Sequence, residues 1–164
     1  MNNSHVYWIT GLANSGKTTL ARILVDQLRA DGLAAVHLDG DELREVYGDK
    51  PQFDPNARRQ IALRNARLCA LLSRQGITVV CSTISLFHEV QQWNRENIPG
   101  YREIFLRVPL EVLRARDQRG IYVQEAVTGV HFDAEEPKSP DLLLETDGTV
   151  PPQALLRRIV ENFT

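Results

Sequence analysis

Residues 11–18 of this 164-residue chain read Gly-Leu-Ala-Asn-Ser-Gly-Lys-Thr, the pattern G-x-x-x-x-G-K-[ST], with Thr19 behind it. No other stretch restricts the fold as strongly. The two glycines let the backbone turn tightly and bring its N–H groups against an anion. Lys17 has the reach for β- and γ-phosphates, and the Thr18 hydroxyl stands where a Mg²⁺ ligand is needed. Such a loop works only between the end of a strand and the start of a helix, whose unpaired N–H groups complete the cradle. Both flanks meet that demand. Val6-Tyr7-Trp8-Ile9 is apolar and β-prone, and Leu20, Ala21, Ile23, Leu24 and Leu28 recur at helical spacing. Gly11, Asn14, Ser15, Gly16, Lys17, Thr18 and Thr19 are therefore expected to hold the phosphates of ATP, with Mg²⁺ as the accompanying ion.

The rest of the chain alternates in the same way. A strand over 5–10 and a helix over 17–30 are followed by a second strand over 34–38, a short helix over 42–47 and a turn-rich stretch over 48–55. A long helix runs to Gln75, with Asn56 as its expected cap and Ile61, Ala62, Leu68, Cys69, Leu71 and Leu72 as its core stripe. Strands over 77–81, 101–108 and 142–145 alternate with helices over 87–97, 109–117 and from Pro151 to about Asn162. Residues 118–140 have weak periodicity and are expected to form a mobile lid. The reading is an α/β, three-layer fold, with a central parallel sheet and helices on both faces. With no repeat or linker, residues 1–164 are expected to form a single domain.

Composition narrows the partners. A net charge of -2 gives no basic field for nucleic acid. No apolar run approaches the ~20 residues that span a bilayer, and the first residues lack a signal-peptide pattern. A cytoplasmic protein is the expectation. Cys69 and Cys81 lie in apolar surroundings without metal-ligand spacing and are expected to be buried thiols.

Ligands in parallel sheets sit beyond the C-terminal strand ends. Asp39-Gly40-Asp41-Glu42-Leu43-Arg44 and Ser82-Thr83-Ile84-Ser85 fall at such ends. One carboxylate of the first stretch can orient Mg²⁺, and the other can take a proton from an acceptor hydroxyl. Arg44 can grip the acceptor's phosphate or sulfate.

These motifs together resemble the adenylylsulfate (APS) kinase family, whose members share a P-loop NTPase fold. The resemblance rests on Gly11 to Thr19, on Leu38-Asp39-Gly40-Asp41-x-x-Arg44, and on Phe53 and Arg58 at the family's spacing. Thr83-Ile84-Ser85-Leu86-Phe87, Arg116-Asp117-x-Arg119-Gly120-Ile121-Tyr122, Thr128-Gly129-Val130 and Glu135-x-Pro137-x-x-Pro140 follow in order. It implies transfer of the γ-phosphoryl of ATP to the ribose 3′-hydroxyl of adenosine 5′-phosphosulfate, making PAPS. Carried over, Lys17 and Asp41 are catalytic, with Asp41 the general base, and Thr18 and Asp41 serve the metal. Asp39, Asp41, Arg44, Phe53, Arg58, Ile84 and Ser85 face the acceptor, with Phe53 against its base. Arg116 flanks the ATP adenine, and Arg119 belongs to the lid. The family is often dimeric, which makes a homodimer an expectation.

The departures fall on the acceptor side. Ile61 replaces an acceptor-binding Asn, Leu63 the first of an Arg pair, and Thr83 and His88 a Phe and an Arg. Part of the lid is missing, and Val127 stands where a Phe stacks on adenine. The stretch from Thr83 to Ile98 is similar to a capsule-associated subgroup that includes cytidine diphosphoramidate kinases, and a smaller pyrimidine suits a site with one aromatic wall fewer. A nucleotide-binding switch without activity is the alternative of another class, opposed by intact Lys17, Thr18, Asp41 and Arg44. A shikimate- or gluconate-type kinase shares only the loop.

Trp93 reads as a packing residue. His88 and His131 read as solvated histidines, Arg59, Arg64 and Arg67 as the wet face of a helix, and Asp133 to Glu136 as solvated lid surface.

Overall fold

The computed structural model describes residues 4–51, 54–123 and 133–163. Five parallel strands form one sheet in the order β2-β3-β1-β4-β5. They are β1 (Val6–Thr10), β2 (Ala35–Asp39), β3 (Thr78–Thr83), β4 (Tyr101–Arg107) and β5 (Leu142–Glu145). The helices are α1 (Lys17–Ala30), α2 (Gly40–Tyr47), α3 (Pro55–Arg74), α4 (His88–Asn97), α5 (Leu110–Ala115) and α6 (Pro152–Phe163). None of the described helices is long and apolar enough to cross a membrane.

The alternation of a strand's side chains explains the three layers. Tyr7 and Ile9 of β1 join Val80, Ile104 and Leu106 under α1, α5 and α6. Val6 and Trp8 join Val79 and Cys81 on the other face, against Ala62, Ala66 and Cys69 of α3 and Val90 of α4. All five residues of β1 are buried, as a central strand with two covered faces requires. Both cysteines are free and buried. The hydrogen bond to Cys69, together with burial, pushes the Cys81 thiol well up.

Four local expectations change. The cap of α3 is Asp54, whose carboxylate accepts from Ala57 N–H, and Asn56 lies inside the helix. Pro55 explains the shift, because a proline favours the first helical position and leaves the residue before it to cap. The core stripe of α3 runs through Ala62, Leu63, Asn65, Ala66, Cys69, Ala70 and Ser73, while Leu71 is exposed. Arg64 is no simple wet-face residue. It pairs with Asp49 and lies 3.8 Å over the Tyr47 ring, pinning the segment after α2 to α3. The proposed lid is described only over 118–123 and 133–140, and both parts are tied down. Glu135 accepts from His88 N–H at the start of α4 (2.7 Å), and Gln91 Nε2 donates to the Glu135 carbonyl (2.9 Å). The His88 ring hydrogen-bonds to the Glu136 carbonyl, and Arg107 pairs with Glu136 at 2.7 Å. Trp93 packs against the core as expected.

A buried carboxylate on the same side staples α4 to the sheet. Glu103 of β4 is 2% exposed. Arg95 Nη2 reaches it at 2.9 Å, and the Tyr101 hydroxyl donates to it at 3.0 Å. Asp141 accepts from Glu103 N–H and also pairs with Arg95. Burial holds the Glu103 carboxyl above its usual range despite these partners. Removing the cation strands a buried charge, which costs more than neutralising it in place. We expect Arg95→Met to cost about 2 kcal/mol, because the guanidinium is still partly in water. Glu103→Gln should cost less than half of that. Urea unfolding at pH 7 reads the order, and a larger loss for Glu103→Gln would overturn it.

Candidate active site

The loop between β1 and α1 is set by contacts that allow few alternatives. A Cβ on Gly11 would lie 2.5 Å from the Leu106 carbonyl oxygen of β4, so the chain passes too close for any side chain. Gly16 enters α1 at φ 99°, and Asn14 takes φ 63°, a conformation that Asn tolerates better than most residues. Lys17 is 8% exposed. Its Nζ donates to the Leu12 carbonyl at 2.6 Å and to Ser15 Oγ at 3.3 Å. Burial lowers its pKa to about 8 against the opposing pull of Asp39 and Asp41, so the ammonium is still protonated at neutral pH.

Asp39, the last residue of β2, is the hub beside the loop. Its Oδ2 accepts from Thr18 Oγ1 and from Ser82 Oγ, each at 2.7 Å, and its Oδ1 caps α2 through Asp41 N–H at 3.0 Å. Burial works to raise its pKa, but these hydrogen bonds outweigh burial and hold the carboxyl below its usual range. Behind Ser82 stands His37, whose Nε2 lies 2.8 Å from Ser82 Oγ. Asp41 sits one step into α2. Its carboxylate is mostly exposed and pairs with Arg44 at 3.0 Å. The expected metal pair was Thr18 with Asp41; the carboxylate bonded to Thr18 is that of Asp39.

These groups open on a cavity of about 720 Å³. One wall is the loop, with Asn14, Gly16, Lys17, Thr18 and Thr19. Beside it are Asp39 and Asp41, and Arg44 and Arg58 continue the lining to Ile61, Ala62 and Asn65 of α3. Ser82, Thr83, Ile84 and Ser85 close the floor at the end of β3, and Arg116 and Arg119 stand at the rim. Burial and the neighbouring Arg44 charge both lower the pKa of Arg58, so two cations face one space. That arrangement suits an anion. Gly11 and Ser15 shape the loop from behind and do not line the cavity. Phe53, assigned to the acceptor's base, and Val127 to Val130 lie outside the described residues.

Five residues here take on roles beyond any that the sequence motifs assign. His37 and Ser82 orient Asp39. Asp117 accepts from Asn14 Nδ2 at 3.2 Å and from the N–H groups of Ile121 and Tyr122 at 2.9 and 2.7 Å. The Tyr122 hydroxyl donates to the Ala13 carbonyl. Asp117 and Tyr122 thus bind the segment after α5 to the phosphate loop. Asn65, the fifth, lies 2% exposed on the cavity side of α3. Its sequence signal was a polar residue at the helical spacing of the core stripe, between Ala62 and Ala66.

Comparison with known proteins agrees with this geometry. The sequence pattern of the adenylylsulphate kinase family matches residues 3–145. The chain is 36% identical over 149 residues to a cytidine diphosphoramidate kinase of Campylobacter jejuni, covering 87% of this chain and 86% of that one. It is 38% identical over 149 residues to an adenylyl-sulfate kinase of Paraburkholderia xenovorans, covering 87% and 83%. Among solved structures, the APS kinase of Mycobacterium tuberculosis in complex with AMPPNP and APS superposes with a TM-score of 0.88 at 26% identity, over 97% of this chain and 96% of that one. The chain belongs to the adenylylsulphate kinase family and is a P-loop phosphotransferase, an ATP-dependent nucleotide kinase.

Proposed function

We propose that this kinase transfers the γ-phosphoryl of ATP to the ribose 3′-hydroxyl of a nucleotide with an anionic 5′ substituent, adenosine 5′-phosphosulfate being the first candidate. One observation carries the reading. A phosphate loop with its lysine and a paired-arginine anion site share one cavity, with Asp39 and Asp41 between them.

In this mechanism Thr18 Oγ and the Asp39 carboxylate are the oxygen ligands offered to Mg²⁺. Their donor set fits a hard cation, and the low pKa of Asp39 keeps it ionised. Bound Mg²⁺ would neutralise phosphate charge. Lys17 leaves the Leu12 carbonyl to meet the transferring phosphoryl. Arg44 and Arg58 take the acceptor's anion. As Arg44 turns to it, the Asp41 carboxylate is released to accept the proton of the ribose hydroxyl. Arg116 and Arg119 add positive charge at the rim, where Arg116 Nη1 already approaches the Asn14 carbonyl at 3.5 Å.

The second candidate acceptor is cytidine diphosphoramidate. The likeness to the Campylobacter jejuni kinase supports it, as does an α3 wall that offers Ile61 to the acceptor. An assay of ADP release with Mg·ATP tests both, run with APS, with cytidine diphosphoramidate and with plain nucleotides. The expected result is release strictly dependent on an acceptor, with ³¹P NMR locating the new phosphate on the 3′-oxygen. Release indifferent to any nucleotide acceptor would overturn the proposal.

A further inference from the structure

We propose that His37 is a positioning residue that sets the Mg²⁺ affinity of the site: its Nε2–H fixes the Ser82 hydroxyl, Ser82 in turn donates to Asp39, and Asp39 is thereby held in place for the metal. The inference rests on the reading of Thr18 and Asp39 as the Mg²⁺ side of the cavity and goes beyond it to the residue that sets them.

Proton accounting gives the direction of the chain. Asp39 is a carboxylate at neutral pH and can only accept. Ser82 Oγ lies 2.7 Å from Asp39 Oδ2 and must supply the proton of that bond. A hydroxyl has one proton, and this one is spent. His37 Nε2 lies 2.8 Å from the same Oγ, so the proton between these two atoms belongs to the imidazole. The ring donates to the serine, the serine donates to Asp39, and the Thr18 hydroxyl donates to the same carboxylate oxygen.

The sheet places these groups on one face. β2 and β3 pair in parallel, with Asp39 opposite Ser82 and His37 opposite Val80. Residues two apart on a strand share a face, so His37 and Asp39 both lie on the side of Ser82. Asp39 meets the serine straight across, and His37 meets it along the diagonal. The neighbours of His37 on that face, Ala35 and Val80, belong to the apolar core beneath α1. Packing alone would be served there by another aliphatic residue.

What His37 controls is the rotation of one hydroxyl. Without it the Ser82 oxygen loses its donor, and its proton is free to turn away from Asp39. With it, the lone pair is occupied and the proton is left to aim at Oδ2. A donor on the serine oxygen also strengthens the bond that the serine itself gives. Oδ2 carries both hydroxyl bonds and Oδ1 takes Asp41 N–H, so the carboxylate cannot turn without breaking one of them. Outer-shell partners of metal-binding carboxylates are worth about tenfold to a hundredfold in metal affinity.

The test separates direction, reach and route. ¹⁵N NMR of the imidazole at pH 8, where burial leaves the ring neutral, should find His37 as the Nε2–H tautomer, with His37→Gln assigning the signal. AMPPNP is then titrated calorimetrically over a series of Mg²⁺ concentrations, which gives a Mg²⁺ midpoint without turnover. His37→Leu should raise that midpoint about tenfold, with the metal-free affinity for AMPPNP unchanged. His37→Gln, whose amide Nε2 reaches as far as the imidazole Nε2, should recover most of the shift, and the shorter His37→Asn should recover little. In a Ser82→Ala background His37→Leu should add nothing, because its route is gone. A histidine that merely packs would show neither the rescue nor the dependence on Ser82. An Nδ1–H tautomer, a His37→Leu midpoint within about twofold of wild type, well short of an outer-shell effect, or an undiminished effect of His37→Leu without Ser82 would overturn the role. If Asp39→Asn moves the midpoint and His37→Leu does not, His37 alone is struck out; if neither moves it, the metal reading of Asp39 falls too. A wild-type protein that turns over no acceptor would sink the kinase reading instead, and the midpoints would still decide what His37 does.

Discussion

Lys17→Met is expected to lower turnover about a thousandfold while the protein stays folded. The factor is that of removing one preorganised charge from the transferring phosphoryl in a site shielded from water. Methionine keeps most of the buried stem and removes only the ammonium. In the free protein that ammonium is a burden. It is 8% exposed, its pKa is lowered to about 8 by burial, and it is held by a backbone carbonyl and a serine hydroxyl inside its own loop. Deleting it relieves a buried charge and frees the Leu12 carbonyl, two effects of opposite sign. Tm should therefore move by a few degrees at most. A circular dichroism melt beside the ADP-release assay separates lost chemistry from lost structure. A folded variant within tenfold of wild-type turnover would show that Lys17 does not act on the phosphoryl group.

How much of this was legible in the sequence depended on whether a residue's task is local. The bounds of α1 and β5 match the sequence reading, since each is set by its own pattern of apolar residues and by the breakers beside it. The exposed Leu71 shows the limit. An apolar residue at roughly helical spacing goes inside only if another element covers that angle of the helix, which depends on how α3 lies on the sheet. Asp54 could have been found, because Pro55 after it marks the first turn. Within the site, Lys17, Thr18 and Arg44 were legible from motif spacing. The pairing of Thr18 with Asp39 was not. It depends on β3 lying between β2 and β1, which sets Ser82 in register with Asp39 and completes the hub from a third segment. His37 and Asn65 show no motif at all. One acts through Ser82, and the other is a polar residue in an apolar stripe whose open hydrogen bond emerges only when its neighbours are known.

The two aspartates should separate by kinetic signature. Asp41→Asn is expected to lower kcat by 10²- to 10⁴-fold, roughly the range for a positioned general base, with the KM for ATP and the Mg²⁺ dependence little changed. The reason lies in where Asp41 points. Its carboxylate is mostly exposed and bonds Arg44, the residue lines the cavity, and the contact it shares with the hub is made by its backbone N–H, which asparagine keeps. Asp39→Asn should behave differently, since that residue meets the Thr18 hydroxyl directly. Its Mg²⁺ midpoint should move to higher concentration by at least about tenfold, with partial recovery of turnover at saturating metal. Mg²⁺ titrations at fixed ATP, with and without acceptor, give both quantities in one experiment. An Asp41→Asn enzyme with normal turnover would remove Asp41 as the base. If it showed the shifted midpoint instead, the metal would belong to Thr18 and Asp41, and Asp39 would be left as the residue that builds the hub around them.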